Sequence, residues 1–314
     1  MIGYVTVGEI TLDDTVREDG TLLRDQIGGG SIYSALGLRL WGHTVGVHAV
    51  IGREYPEAPL VALAASGVGT EGITAWDGWS LRLWLLHEEE NRKQQVPRLR
   101  SASFAALDAA RSPLPDGYLS ARGVHLAPAT PEGQRRARDE VRARIPGAVI
   151  SLDLLTAPFI ATEPYRSGDM LHDVDLFLPS QAEVRDIWPG RPLAALLGEW
   201  AARGPRCIAV KRDIAGSLVY DRATDRVYDI PIYPTMTVDT TGAGDAYAGG
   251  FLAGWVETRS ALEAGLWGTV SASFAVEAWG ALHLLDVPHA AASARLAWLR
   301  PHVRSLRRTD LLHE

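Results

Sequence analysis

Short apolar runs rich in β-branched residues alternate along this chain with longer stretches of helical periodicity. Residues 2–7 read as a strand closing at Gly8, and residues 11–26 are mostly polar around a turn at Glu18-Asp19-Gly20. Gly28-Gly29-Gly30 opens a helical pattern carrying Ile32, Leu36, Leu38 and Leu40, which stops at Gly42. A strand over 45–51 and a short helix over 60–65 follow, the helix ended by Ser66-Gly67. Apolar strands recur at 124–126, 148–152, 175–178 and 207–211, separated by helical stretches at 131–144 and 193–203. Residues 217–220 and 226–230 suit an antiparallel pair, and two helices rich in small residues occupy 246–256 and 260–278. No internal repeat and no low-complexity segment interrupts the series.

Strand–helix alternation with connections of this length implies right-handed crossovers and a mainly parallel sheet, so the expected class is α/β. One segment stands outside the alternation. Between Trp79 and Leu99, Leu81, Leu83 and Leu85 share one face of an extended run while Arg82, Trp84 and Leu86 share the other. This predicts a hairpin outside the main core, with Glu88-Glu89-Glu90 as its solvated tip. Together with residues 11–27 it makes a small β lid, roughly 11–27 and 77–100, on a single domain spanning 1–314.

Composition narrows the function. An apolar share of 46% supplies a core, and a charged share of 22% excludes general disorder. A net charge of −7 argues against a nucleic-acid partner, although a phosphorylated ligand can still be met by backbone dipoles. The one compact basic cluster, Arg304-Ser305-Leu306-Arg307-Arg308, reads as a solvated helix end. Cys207 lies in an apolar run and reads as buried packing, because a single cysteine can form no internal disulfide. The N-terminal residues have neither a basic leader nor a long apolar core, so the expected location is the cytoplasm, with no membrane partner.

The densest chemical signal is the stretch DTTGAGDAYAGGF, residues 239–251. Thr240-Thr241-Gly242-Ala243-Gly244 has no bulky side chain, so its N–H groups can converge on an anion at a helix start. Asp245 is then either the helix N-cap or a base beside that anion hole. The dinucleotide pattern GxGxxG fails at Tyr247, and the P-loop pattern fails because no Lys-Ser/Thr follows the glycines. An anion hole next to a carboxylate suits phosphoryl transfer, where developing charge needs fixed donors and an acceptor hydroxyl needs a base.

This stretch resembles the C-terminal motif of the ribokinase (PfkB) family of carbohydrate and nucleoside kinases, closely so over DTTGAGD. Gly8-Glu9-Ile10-Thr11-Leu12-Asp13, Gly28 to Ala35 (GGGSIYSA), Leu178-Pro179-Ser180-Gln181-Ala182-Glu183 and Ala209-Val210-Lys211 resemble further family segments in the same order. The resemblance implies a ribokinase-like three-layer α/β/α domain and transfer of a phosphoryl group from ATP, with Mg²⁺, to a small sugar or a nucleoside. It implies Asp245 as base, with the backbone of Gly242, Ala243 and Gly244 around the phosphoryl group. Asp13, Gly28, Gly29 and Tyr33 fall on the substrate side, and Lys211, Asp213, Gly216 and Thr240 on the nucleotide side. Glu183 would act on Mg²⁺ through water, and Asp239 would help form a loop for a monovalent cation such as K⁺. A non-catalytic, ligand-sensing descendant of such a kinase is the alternative from another class.

The chain departs from the family pattern at three of these places. Tyr33 stands where the family has Asn, and it either reaches the substrate or packs under the lid. Ser180 replaces Asn, and Asp213 replaces a glycine, so a side chain at 213 is expected to crowd the nucleotide loop. Asp153, at a strand end, reads as a loop cap, and His43, His48 and His125 read as packing. Trp79 and Trp84 either close over an aromatic substrate or pack a homodimer contact between lids.

Overall fold

The computed structural model describes residues 1–88, 92–157 and 160–313. Its main sheet is built on β1 (Tyr4–Val7), which pairs in parallel with β4 (Val45–Gly52) on one side and with β8 (Gly123–Leu126) on the other. Outward from β4 lies β5 (Gly69–Trp76); outward from β8 lie β9 (Val149–Leu152), β10 (Leu176–Phe177) and β11 (Cys207–Lys211), all parallel. The chain therefore first builds away from β1 in one direction and then returns to build in the other. The carboxyl ends of β1 and β8 flank that reversal, which is where α/β sheets place their ligands.

The alternation expected from the apolar runs is seen directly. Along β11, Cys207 and Ala209 pack on one face while Ile208 and Val210 pack on the other, and β10 divides Leu176 from Phe177 in the same way. Helices cover both faces. The first face carries α1 (Gly30–Arg39), α2 (Glu57–Ala65), α8 (Ala243–Thr258), α9 (Ala261–Ala275) and α10 (His289–Leu299). The second carries α4 (Pro131–Arg144), α5 (Glu163–Arg166), α6 (Gln181–Ile187) and α7 (Leu193–Arg203). No helix among the described residues is long and apolar enough to cross a membrane.

A second, four-stranded sheet forms from β2 (Thr11–Val16), β3 (Leu22–Gly28), β6 (Leu81–Glu88) and β7 (Arg92–Pro97) in the order β3-β2-β6-β7. Each flanking pair is antiparallel, and the two hairpins join through a parallel β2–β6 pairing. The polar run over 11–26, expected as part of the lid, is thus two strands, whose individual positions a reading by hydrophobicity does not resolve because β2 buries mostly Thr and Asp side chains. Of the expected acidic tip, Glu88 ends β6, and Glu89 and Glu90 lie outside the described residues.

At the other end of the main sheet, β12 (Ser217–Asp221) and β13 (Arg226–Ile230) form the expected antiparallel pair. The basic cluster after them corrects the sequence reading. Residues Arg304–Arg307 are not a helix end but an edge strand, β14, pairing antiparallel with β13. Its charges have partners there: Arg304 pairs with Asp229, and Arg308, just beyond the strand, donates through Nε to Asp225 Oδ1 at 2.7 Å. Arginines on an edge strand also deter sheet-to-sheet association. Cys207 is buried in the core, and His48 Nε2 and His125 Nδ1 are bonded to Ser112 O and Ser151 Oγ, each at 2.8 Å.

Helices α1 and α8 meet backbone to backbone. A Cβ on Gly37 would run into the carbonyl oxygen of Ala246, and one on Gly249 into that of Ser34. Backbone cannot give way as a side-chain tip can. Gly37→Ala and Gly249→Ala are therefore each expected to lower the unfolding free energy by about 1–3 kcal/mol in urea titrations. Gly147→Ala, where a Cβ meets open space, serves as the control and should stay within about 0.5 kcal/mol.

Candidate active site

A cavity of about 930 Å³ lies beyond the carboxyl ends of the parallel strands, between them and the second sheet. One end is formed by residues next to the first glycine run. Asp13, from β2, is buried and accepts a hydrogen bond from Thr11 Oγ1 at 2.8 Å. Gly28 keeps room for this carboxylate, because a Cβ there would strike Asp13 Oδ2, and Gly29 crosses directly over the backbone of Glu9 and Ile10. Thr11, Asp13, Gly29 and Gly30 line the cavity; Gly28 does not.

The helix α8 begins opposite. Its N-cap is Gly242, with φ 74°, and its first residue is Ala243, so Asp245 sits inside the first turn rather than at the cap. This settles one of the two readings of Asp245 against capping. A helix leaves its first N–H groups without intrahelical partners. Ala243 N–H turns back to Thr240 O at 3.3 Å, which leaves the N–H groups of Gly242 and Gly244 as the helix's contribution to an anion. The carboxylate of Asp245 lies against the start of α1: a methyl on Gly30 would sit 2.8 Å from Asp245 Oδ1. Gly30 was part of the quoted motif but was not singled out, because its role is apparent only across the α1–α8 contact.

Tyr33, on α1, is 2% exposed and lines the cavity with its ring packed on Gly242. Burial pushes its phenol well up, and the charges of Asp239, Asp13 and Asp245 add to the shift. It both packs and faces the site. Asp239 is buried; its Oδ1 accepts from Thr241 N at 2.9 Å and Thr241 Oγ1 at 2.7 Å, with His87 Nε2 at 3.8 Å. This carboxylate shapes the loop ahead of α8.

On the far side of the cavity Glu183 and Ser180 cap α6 reciprocally: Ser180 N donates to Glu183 Oε2 at 2.6 Å, and Glu183 N donates to Ser180 Oγ at 3.2 Å. Serine in place of asparagine thus serves as the cap and orients Glu183, which lines the cavity. Burial, reinforced by Asp153, raises the Glu183 carboxyl to about 7, with Lys211 opposing. Asp153 does cap its loop, accepting from Leu154 N at 2.8 Å, but its second oxygen pairs with Lys211 Nζ. That partnership was invisible in sequence because 58 residues separate the two.

Other expected nucleotide residues stand apart from the cavity. Asp213 begins an exposed turn, Asp213–Ala215, and Gly216 makes its close approach to the carbonyl of Ile230 in β13. Thr240 is half-buried ahead of Thr241. Of the hairpin's two faces, the leucines rather than the tryptophans meet the cavity: Leu81, Leu83 and Leu85 line it. Trp84 instead stacks with Arg98, and Trp79 with Arg82 and Arg100. Glu9 is a further buried wall residue that sequence reading passed over. Its Oε1 accepts from Arg111 Nη2 at 2.9 Å, and burial, opposed by Arg111, raises its carboxyl to about 7.

Residues 154–287 match the model of the pfkB family carbohydrate kinases. A cytidine kinase of Thermococcus kodakarensis is 27% identical over 89% of this chain and 98% of its own length. An E. coli protein described as a ribokinase II, solved with ATP and Mg²⁺, superposes with a TM-score of 0.75 at 18% identity, covering 95% of this chain and all (100%) of that one. A Burkholderia thailandensis nucleoside kinase solved with inosine gives a TM-score of 0.77 at 17% identity, over 95% and 98% of the two chains. These superpositions give the fold the ribokinase-like architecture: an α/β/α domain with a mainly parallel sheet and a small β lid.

Two outcomes follow from the geometry. Gly242→Ala puts a side chain at positive φ and against the Tyr33 ring, so it should cost more than about 2 kcal/mol of stability. The cost should be smaller in a Tyr33→Ala background, a non-additivity that urea unfolding of the four proteins would show. Glu9 has a folded pKa above its ordinary value, so its contribution is fully present below the unfolded pKa and is lost as pH rises through about 7. Stability of Glu9→Gln, measured from pH 5 to 8, should accordingly decline less steeply than that of the native chain.

Proposed function

We propose that the chain is a carbohydrate or nucleoside kinase of the PfkB family that moves the γ-phosphoryl group of ATP onto a hydroxyl of a sugar or sugar-like acceptor, with Asp245 as base. The observation carrying this is the placement of the Asp245 carboxylate within the first turn of α8, beside Gly30 and next to the N–H groups of Gly242 and Gly244. In this reading the acceptor lies between Asp13 and Asp245. Its hydroxyl proton passes to Asp245, its oxygen bonds to the γ-phosphorus, and the bond from that phosphorus to the bridging oxygen of ADP breaks. The glycine N–H groups hold the charge that grows on the transferring group, at a helix end already biased toward anions.

Lys211, the 213–216 turn and Thr240 form the nucleotide side. Mg²⁺ typically takes one or two carboxylates and completes its shell with phosphates and water. Glu183 is the carboxylate we assign to it, and bound Mg²⁺ would supply neutralising charge to the phosphate chain. Closure of the small sheet over the cavity would exclude water as a competing acceptor.

A second reading, that the acceptor sugar belongs to a nucleoside, is favoured by the row of Leu81, Leu83 and Leu85 along the cavity wall with Phe104. An apolar wall of this length suits a flat base better than a bare sugar, whose rim is hydroxyls. ADP release across a panel of sugars and nucleosides, with thermal shift on the same panel, distinguishes the two.

Asp245→Asn keeps the shape and removes the base, so turnover with the best acceptor should fall by about 10²–10⁴. Unchanged turnover in that variant would sink the assignment. Gly30→Ala should cost a modest part of the stability, because its Cβ also meets Pro128 Cδ at 3.0 Å and Ala127 Cβ at 3.2 Å, and should slow turnover at least tenfold by displacing the Asp245 carboxylate.

A further inference from the structure

Three neighbouring strands of the main sheet end in ionisable residues. Asp153 follows β9, Glu183 lies in the first turn of the helix after β10, and Lys211 ends β11. Asp153 is 1% exposed and Lys211 is nearly as enclosed, with 14% of its side chain accessible. Their contact is a buried ion pair, an arrangement that apolar residues of the same volume commonly replace without loss of stability. Stability alone therefore gives little reason for it.

The surroundings of the ammonium supply a better reason. A methyl on Gly244 would lie 3.5 Å from Lys211 Nζ, so the charge sits against the first turn of α8. A helix N-terminus carries partial positive charge, and a cation placed there is repelled unless an anion lies close to both. Asp153 accepts one of the three ammonium donors, and Nζ has no other hydrogen-bond acceptor among the described residues. Burial alone would lower the lysine's pKa, yet Asp153, Glu183 and Asp245 together raise it, so the charge is retained. Two unused donors on a retained charge, next to two glycine N–H groups, describe one shared anion position.

Resting on the kinase reading above, we propose that Lys211 binds the terminal phosphate of the nucleotide at this position and that Asp153 is its positioning residue. Asp153 stays ionised throughout and holds Nζ by one donor while the other two turn to phosphate oxygens. No proton or covalent bond moves at this pair. Its work is to place a positive charge where the phosphoryl group becomes more exposed to its neighbours, without requiring the lysine to reorganise on each turnover.

The test compares the native chain with Asp153→Asn, Lys211→Met and the double variant, reading ATP saturation kinetics, ATP-induced thermal shift and urea unfolding. Each single variant leaves one buried charge unpaired and should lose stability; the double variant should recover it. Activity should behave differently. Lys211→Met and Asp153→Asn should each lower kcat/KM for ATP at least tenfold, and the double variant should remain as slow as Lys211→Met. If the single variants do not fold, the double variant decides against the native chain: a tenfold or greater loss supports the assignment. A double variant with native kinetics overturns it, as does Asp153→Asn with unchanged kcat and ATP KM. A native chain that ATP neither stabilises nor converts to ADP with any acceptor overturns the kinase reading and this inference with it, whereas an active native chain with an indifferent Asp153→Asn overturns this inference alone.

Discussion

Backbone contact between α1 and α8 is the constraint on which the rest of the site depends. Gly37 and Gly249 allow the two helices to touch through Ala246 O and Ser34 O, closer than side chains would permit. Ser271, on α9, locks the arrangement by donating to Gly37 O at 3.1 Å and accepting from Trp41 Nε1 at 3.0 Å. With Gly37 held against Ala246 and Ser34 against Gly249, the glycine run that opens α1 is brought to the first turn of α8. Gly30 and Asp245, 215 positions apart in sequence, become neighbours through helix packing rather than through loops. Helices place groups more accurately than loops do, which matters when a carboxylate must meet a hydroxyl within hydrogen-bonding distance.

Much of this was legible in the order of residues, and the gaps have identifiable causes. Most of the parallel strands announced themselves because they are buried on both faces and read as apolar runs, whereas β5, a half-exposed edge strand, did not. Residues 11–27 were legible as part of the β lid but not as separate strands, since β2 buries mostly Thr and Asp side chains. The edge strand at Arg304–Arg307 was misread because arginines paired to Asp229 and Asp225 look, in sequence, like any solvated cluster. In the site, the glycines and Asp245 could be named from a local motif. Asp153 could be seen but not understood, because its partner lies two strands away. The hairpin's leucine face was visible too; Trp84, on the opposite face, and Trp79, ahead of the strand, stack on arginines instead of lining the cavity.

Charge in the cavity is lopsided, and the imbalance fits a site for polyanions only in combination with cations. Asp13, Asp245 and Glu183 line it and Asp239 acts on Tyr33 in its wall, while Lys211, outside the lining, and the helix start supply the opposing charge. Burial already pushes Glu183 and Glu9 toward the neutral form. On the proposed reading, an incoming phosphate chain would depend on fixed dipoles and on the charge it brings with its metal, not on a basic surface. The chain's net charge of −7 is compatible with that economy of positive groups.

The parallel pairing of β2 with β6 has a further bearing on how the molecule works. Asp13 and the end of β3 belong to the same small sheet as the leucine row, while Asp245 and Gly242 belong to the main body. On the proposed reading, in which Asp13 holds the acceptor, whatever moves that sheet would move the acceptor's ligand with it, and gripping the acceptor and roofing the cavity would be one mechanical event. That would be a built-in interlock: without an acceptor to draw Asp13 inward, nothing would draw the roof down, and the nucleotide would be left unspent.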